Sequence, residues 1–142
     1  MSAGYSGTPL LKKLGAKETQ KALLVSVPET VPELQNNNPW KKVKRAKTLR
    51  GISGGPYDYI HLFTADANAF TDALPKLKEA LISNGMIWIS WPKKSSGVPS
   101  SVTEDTVRHL ALKIGLVDIK VCAVDEIWSA LKLVIPVKDR TS

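Results

Sequence analysis

Apolar residues along this chain fall into short runs separated by polar turns, and several runs have the length of a buried strand. The run KALLVSV at residues 21–27 is almost continuously apolar, as is typical of a parallel strand covered on both faces. The runs at 57–63 (YDYIHLF) and 86–91 (MIWISW) have similar length and character. The basic segment 41–49 fits a helix or a strand, and we favour an edge strand because charged side chains protect sheet edges from aggregation.

Helical patterns precede and separate these strands. Residues 8–15 (TPLLKKLG) predict a short opening helix with Thr8 as its N-cap. From Asp66 onward, apolar residues recur at helical spacing, and Pro75 within that pattern predicts a kink or a new helix start. The pair Asn-Gly at 84–85 predicts the end of this helix.

The second half of the chain adds one more helix and a hairpin. Ser101 and Glu104 have the spacing of a capping box, and Gly115 follows the last apolar position of that helix. Residues 117–125 and 128–137 predict two antiparallel strands. The pattern therefore predicts an α/β fold with a mainly parallel sheet, right-handed crossovers and a C-terminal antiparallel hairpin.

Length and cysteine content agree with a small intracellular domain. The 142 residues predict a single domain over 1–142, with an N-terminal arm and short helix over 1–15. The one cysteine, Cys122, lies in an apolar run and is expected in the core of a protein from a reducing compartment. The first residues lack a hydrophobic signal core, and no apolar stretch is long enough to span a bilayer, so the expected location is the cytoplasm.

The positive charge is concentrated in one segment. The net charge is 20 − 13 = +7, yet residues 34–57 contain no acidic side chain. A local positive field attracts phosphates, nucleic acid or an acidic partner. Nucleic-acid binding with Trp40 stacking on a base is possible but not favoured over a solubility role for an edge strand. The basic patch comprises Lys41, Lys42, Lys44, Arg45, Lys47 and Arg50.

Open α/β sheets bind ligands at the carboxyl ends of their strands, so the candidate binding residues are those in the loops at that edge. The rim of the predicted crevice includes Glu29, Thr30, Thr64 and Asp66. The loop after the fourth strand could hold an anion through its lysines and hydroxyls, or be a solvated loop whose hydroxyls cap the next helix. The candidate anion- or ligand-binding residues of this loop are Trp91, Lys93, Lys94, Ser95, Ser96 and Gly97.

The remaining chemistry-bearing residues do not form a recognisable catalytic site. His61 lies within a predicted strand, where a hydrogen-bonded core position is typical, and His109 falls on the polar side of a helix. Two histidines and one cysteine far apart in the sequence do not make a zinc site. The glycine-rich GISGGP at 51–56 lacks the Gly-Lys-Ser/Thr ending of a phosphate loop and predicts a turn. We expect neither a catalytic residue nor a metal site.

Two stretches resemble Rossmann-like, class I methyltransferases: LGAKETQKALLVSV, and YIHLF through LPKLKEALISNGMIWIS to KIGLVDIKVCAV. The resemblance implies an α/β, Rossmann-like fold: a mainly parallel sheet of about six strands, with helices on both faces and a C-terminal antiparallel hairpin. It also implies the sheet order 41–49, 21–27, 57–63, 86–91, 128–137, 117–125. It breaks where those enzymes place a glycine-rich turn after the first strand, since VPETVPE has no glycine. It breaks again where they place an acidic residue after the second strand, since KRAKTLRG is wholly basic. These departures predict no cofactor and make S-adenosylmethionine an unexpected ligand.

Nearly the whole chain also resembles a family of short bacterial proteins, the domain of unknown function numbered three thousand and fifty-two. The matching segments are MSAGYSGTPLLKKLG, WPKKSSGVPSSVTED and GLVDIKVCAVDEIWSALKLVI. This resemblance implies no catalytic residue.

Three functional hypotheses follow from the sequence. The first is a non-catalytic binding or regulatory module whose partner is a protein or an anionic small molecule. The alternative is a divergent transferase that uses S-adenosylmethionine or a nucleotide, with Asp66 or Glu29 as the polar group of the crevice. A further alternative is nucleic-acid binding through segment 41–50.

Overall fold

The computed structural model describes residues 9–141, which form one six-stranded sheet with α-helices packed against it. The predicted arm and the predicted N-cap Thr8 lie outside the described residues. The elements are β1 (Lys21–Val25), β2 (Lys42–Ala46), β3 (Tyr57–Phe63), β4 (Leu81–Pro92), β5 (Val117–Ala123), β6 (Trp128–Val134), α1 (Leu10–Lys13), α2 (Ala67–Glu79) and α3 (Glu104–Lys113).

The sheet has the order β2-β1-β3-β4-β6-β5, which confirms the order that the resemblance to class I methyltransferases implies. The strands from β2 to β4 pair in parallel. Strand β6 is antiparallel to both of its neighbours, because the hairpin that joins β5 to β6 inserts β6 between β4 and β5. The description of the sheet as mainly parallel is therefore corrected: the sheet is mixed, and its second half is antiparallel.

The two faces of the sheet are covered by different elements. One face packs against α2 and α3 through a cluster that includes Phe70, Leu74 and Val107. The other face is covered by the four-residue α1 and by the loops before β2, with Leu14 and Trp40 in its core. None of the helices within residues 9–141 has the length and apolar character to cross a membrane.

The end of α2 differs from the prediction. Helix α2 runs through Pro75 without interruption and ends at Glu79. Residues 84–85 lie inside β4, where pairing with β3 shifts from Tyr57↔Leu81 to Tyr59↔Met86 and leaves a bulge. A side chain at Gly85 would meet Leu81 Cδ1 at 2.7 Å. The glycine therefore serves a crowded bulge rather than a helix end.

The start of α3 also differs from the prediction. The N-cap is Thr103, whose hydroxyl accepts a hydrogen bond from the Thr106 amide at 3.2 Å. Ser101 instead accepts a hydrogen bond from the Ala67 amide at 2.8 Å. The predicted capping box is therefore wrong, because Ser101 ties the loop before α3 to the start of α2.

A buried polar chain crosses the centre of the sheet on the α1 side. Tyr59 Oη lies 3.1 Å from His61 Nδ1, and His61 Nε2 lies 2.7 Å from Ser90 Oγ. The His61 ring also stacks on Phe63 with ring centres 4.4 Å apart. Burial lowers the pKa of His61 to about 3, so the imidazole is neutral in the folded protein. The sequence-based assignment of His61 as a hydrogen-bonded core residue is confirmed.

We expect this histidine to destabilise the fold in acid. Histidine in the unfolded chain has a pKa near 6.5, whereas burial lowers the pKa of folded His61 to about 3. Between these two pH values the unfolded chain binds a proton at this residue and the folded protein does not, so stability falls as the pH is lowered. Urea unfolding at pH 6.5 and 4.5 should show a loss of up to about 2–3 kcal/mol from this group. His61→Gln should reduce that pH dependence, while His109→Gln, at an exposed site, should leave it unchanged. Equal pH profiles for the native protein and His61→Gln would contradict the assignment.

Candidate functional site

A cavity of about 530 Å³ opens at the carboxyl ends of β1 and β2. Its volume falls within the usual range of small-molecule sites, roughly 300–1,000 Å³. β1 flanks the point where the strand order reverses, since the chain passes from β1 to β2 on one side and then to β3 on the other. The cavity is lined by Leu24, Ser26, Val27, Glu29, Gln35, Arg45, Ala46 and Lys47.

The floor of the cavity is an unusual turn at Ser26. This residue directly follows β1 and has φ +58°, in the left-handed region that residues with side chains rarely adopt. Its amide donates to the Ala46 carbonyl at 2.8 Å, and its hydroxyl donates to the Lys47 carbonyl at 3.1 Å. These two bonds join the ends of β1 and β2 and hold the backbone in that conformation.

One wall of the cavity is the loop between β1 and β2, and Arg45 holds it in place. The guanidinium donates to the carbonyls of Leu34 at 2.7 Å and Asn36 at 2.8 Å, and to Asn37 Oδ1 at 2.9 Å. Partial desolvation against this loop lowers the pKa of Arg45 from its ordinary value. Two of the three guanidinium nitrogens are thus committed to the loop, so Arg45 acts mainly as a positioning residue.

The same loop is closed on itself by Gln35. The side-chain amide of Gln35 donates to the Pro28 carbonyl at 2.6 Å and, more weakly, to the Val31 carbonyl at 3.4 Å. Pro28 has no N–H to offer a ligand, but its carbonyl is used to fix the wall. The proline-rich segment is therefore an ordered side of the cavity rather than an obstruction across it.

The cavity brings opposite charges together without pairing them. Glu29 and Lys47 are both exposed, and neither side chain forms an ion pair or hydrogen bond with any of the residues 9–141. Charged groups that stay unpaired at the mouth of a cavity remain available to a ligand. The apolar lining, Leu24, Val27 and Ala46, supplies a surface for a flat ring.

The rim residues of the sequence analysis separate into different places. Glu29 lines the cavity, and Thr30 is exposed next to it. Thr64 and Asp66 lie beyond β3, where Asp66 caps α2 by accepting from the Asn68 amide at 2.9 Å and the Ala69 amide at 3.3 Å. The carboxylate of Asp66 thus has a structural use that the sequence analysis did not foresee.

The loop at 91–97 lies beside the hairpin turn and away from the cavity lining. Lys93 donates through its amide to the Ile127 carbonyl at 2.7 Å and through Nζ to the Asp125 carbonyl at 2.8 Å. Ser96 donates to the Lys93 carbonyl at 2.6 Å. Trp91 is buried in the helix-side core. Lys94, Ser95 and Gly97 are exposed, and an anion site here stays a prediction.

The basic patch is distributed along the edge strand β2 rather than forming one surface. Arg45 and Lys47 line the cavity, whereas Lys41 and Lys42 line a second depression near Glu18 and Asp58, at the amino end of the strand. Lys44 bonds to Ser53, and Arg50 is exposed. Trp40 is buried, and its indole N–H donates to Gln20 Oε1 at 2.9 Å, so its ring is not available for the base stacking that the nucleic-acid alternative invoked.

Ser26 and Gln35 line the cavity, and neither could be recognised as a site residue from the sequence. Ser26 carries no motif, and its left-handed conformation arises from hydrogen bonds to residues 20 and more positions away. Gln35 sits in a polar run typical of a loop, and its hydrogen bonds to the proline segment depend on how that loop folds.

No family model matches the sequence, and no curated protein matches it. Solved structures do. A SAM dependent methyltransferase from Aquifex aeolicus superposes with TM-score 0.66 at 17% identity, covering 89% of this chain and 88% of that one. The B. subtilis tRNA methyltransferase TrmK gives 0.56 at 10% identity, covering 98% and 68%. Magnesium protoporphyrin IX methyltransferase (ChlM) from Synechocystis PCC 6803, with bound SAH, gives 0.58 at 12% identity, covering 89% and 78%.

The chain has a methyltransferase-like fold. The finer resemblance, to the bacterial family of unknown function, stays a prediction. The expectation that S-adenosylmethionine is an unexpected ligand is overturned, because the A. aeolicus neighbour is a SAM dependent methyltransferase and ChlM is known with SAM as well as SAH bound. That expectation relied on the missing glycine and on the wholly basic segment after the second strand; the chain nevertheless turns sharply after β1, at Ser26.

We expect the backbone conformation at Ser26 to govern the stability of this turn. Ser26→Gly removes the left-handed strain but loses one hydrogen bond, so stability should change by less than about 1 kcal/mol. Ser26→Val puts a β-branched side chain in the same conformation and should cost about 1–3 kcal/mol in urea unfolding. Ser95→Val, at an exposed loop site, is the control. Equal losses for Gly and Val would show that the hydroxyl matters and the backbone does not.

Proposed function

We propose that this chain is a divergent transferase that uses S-adenosylmethionine, with the ligand bound in the cavity at the carboxyl ends of β1 and β2. The observation that carries the proposal is the left-handed turn at Ser26, which opens a cavity beside the switch point of a methyltransferase-like sheet. Strained backbone of this kind is concentrated at ligand sites. Of the hypotheses drawn from the sequence, the transferase has more support than the non-catalytic module.

The chemistry of the lining fits most of the ligand. The apolar side chains of Leu24, Val27 and Ala46 suit a purine ring, and the Glu29 carboxylate suits an ammonium group. Gln35 and Arg45 keep the wall of the cavity in position through the bonds described above. When bound, S-adenosylmethionine supplies a methyl group activated by its sulfonium.

The role of Glu29 follows from its isolation. It is the acidic residue of the lining, and its carboxylate has no polar partner within the described part of the chain. A carboxylate can accept several hydrogen bonds from a ligand at once, and it favours a positively charged sulfonium or ammonium nearby. The carboxylate of Asp66 differs from that of Glu29, because it already caps α2. Glu29 is therefore the polar group that we assign to the ligand.

The proposal is tested by calorimetric titration with S-adenosylmethionine and S-adenosylhomocysteine. We expect both to bind the native protein, and Glu29→Gln to weaken binding by about tenfold, since hydrogen bonds to a charged group contribute roughly 1.5–3 kcal/mol. Glu126→Gln, an exposed position in the hairpin turn, should bind like the native protein. Absence of binding to the native protein, or equal losses in the two variants, would contradict the proposal.

A further inference from the structure

We propose that the cavity prefers an adenosine ligand that carries a phosphate on its ribose 2′ or 3′ oxygen, and that Lys47 binds this phosphate. The inference rests on the proposed function in one respect, that the cavity seats an adenosine moiety. It goes beyond that function in the class of ligand, because S-adenosylmethionine carries no phosphate.

The argument begins with the position of Lys47. In nucleotide-binding α/β folds, the residue after the second strand faces the ribose: an acidic side chain accepts from the free hydroxyls, and a cationic one accommodates a ribose phosphate. Here β2 ends at Ala46, and Lys47 follows it. Residues 34–57 contain no acid, so no carboxylate can approach from this strand or from the loop that follows it.

The backbone of Lys47 is fixed while its ammonium is free. The Lys47 carbonyl accepts the Ser26 hydroxyl at 3.1 Å, and the neighbouring Ala46 carbonyl accepts the Ser26 amide at 2.8 Å. The side chain is exposed at the cavity and makes no hydrogen bond or ion pair with residues 9–141. A lysine on a fixed backbone is a point charge that can reach a phosphate without giving up another contact.

The other charges of the lining set the orientation. Arg45 adds positive potential on the β2 side, although most of its donors hold the loop at 34–37. Glu29, on the loop after β1, repels a phosphate. The field therefore directs an anionic group towards β2, where the ribose diol is expected to lie, and disfavours a phosphate at the 5′ position on the Glu29 side.

The test compares adenosine, 2′-AMP, 3′-AMP, 5′-AMP and S-adenosylhomocysteine by calorimetric titration, with inorganic phosphate as a separate probe. We expect 2′-AMP or 3′-AMP to bind at least about tenfold more tightly than adenosine, and 5′-AMP to show no such gain. Inorganic phosphate alone should bind far more weakly than either. The gain should shrink as salt rises, because the pair is exposed.

The decisive comparison is between charge reversals at the two ends of β2, one at Lys47 just after the strand and one at Lys42 within it. Lys47→Glu should abolish the gain from the ribose phosphate, and Lys47→Gln should remove most of it. Lys42→Glu carries the same change of net charge at the opposite end of β2, roughly 16 Å away along the strand, and should keep the gain. Thermal unfolding of each variant checks that it is folded.

The outcomes separate the two proposals. Binding of S-adenosylhomocysteine without any gain from a ribose phosphate would overturn the inference and leave the proposed function standing. Equal losses in Lys47→Glu and Lys42→Glu would overturn it too, because the effect would then be one of net charge. If no adenosine compound binds, both proposals fail.

Discussion

The hydrogen bonds that join the ends of β1 and β2 through Ser26 are the constraint on which the candidate site depends. They hold a serine at φ +58°, a conformation that glycine would adopt without strain, and they do so by using carbonyls of the neighbouring strand. The loop after β1 can then rise away from the sheet, and Arg45 and Gln35 fix it as a wall. The cavity exists because the chain turns sharply at this point.

The strands could be predicted from the sequence because each buried strand is a compact apolar run, whereas their order came from the resemblance to class I methyltransferases. The range 57–63 agrees with β3 residue for residue, and the order of all six strands is correct. The predictions are wrong where a short sequence motif is compatible with more than one local structure. Asn84-Gly85 suits a helix end and also a bulge, and only pairing with β3 distinguishes the two. Ser101 suits a cap, yet it bonds to a helix far away in the sequence.

The site could be predicted only in separate parts. Glu29 was expected at the rim of the crevice, and Arg45 and Lys47 in a basic patch, but nothing in the sequence places these three side chains around one cavity. Parallel pairing does so, because it brings the end of β2 beside the end of β1. The loop at 91–97 showed the stronger sequence signal, and two of its polar side chains, Lys93 and Ser96, form hydrogen bonds to the hairpin turn and within the loop.

The most direct test of the account is an amide NMR titration of the labelled protein with S-adenosylhomocysteine. The account predicts that the largest shifts fall on Ser26, Val27, Glu29 and Lys47, with little change in the loop at 91–97. Shifts confined to that loop, or to the hairpin turn at 125–127, would contradict it. They would mean that the crevice at β1 and β2 is not where this protein meets its ligand.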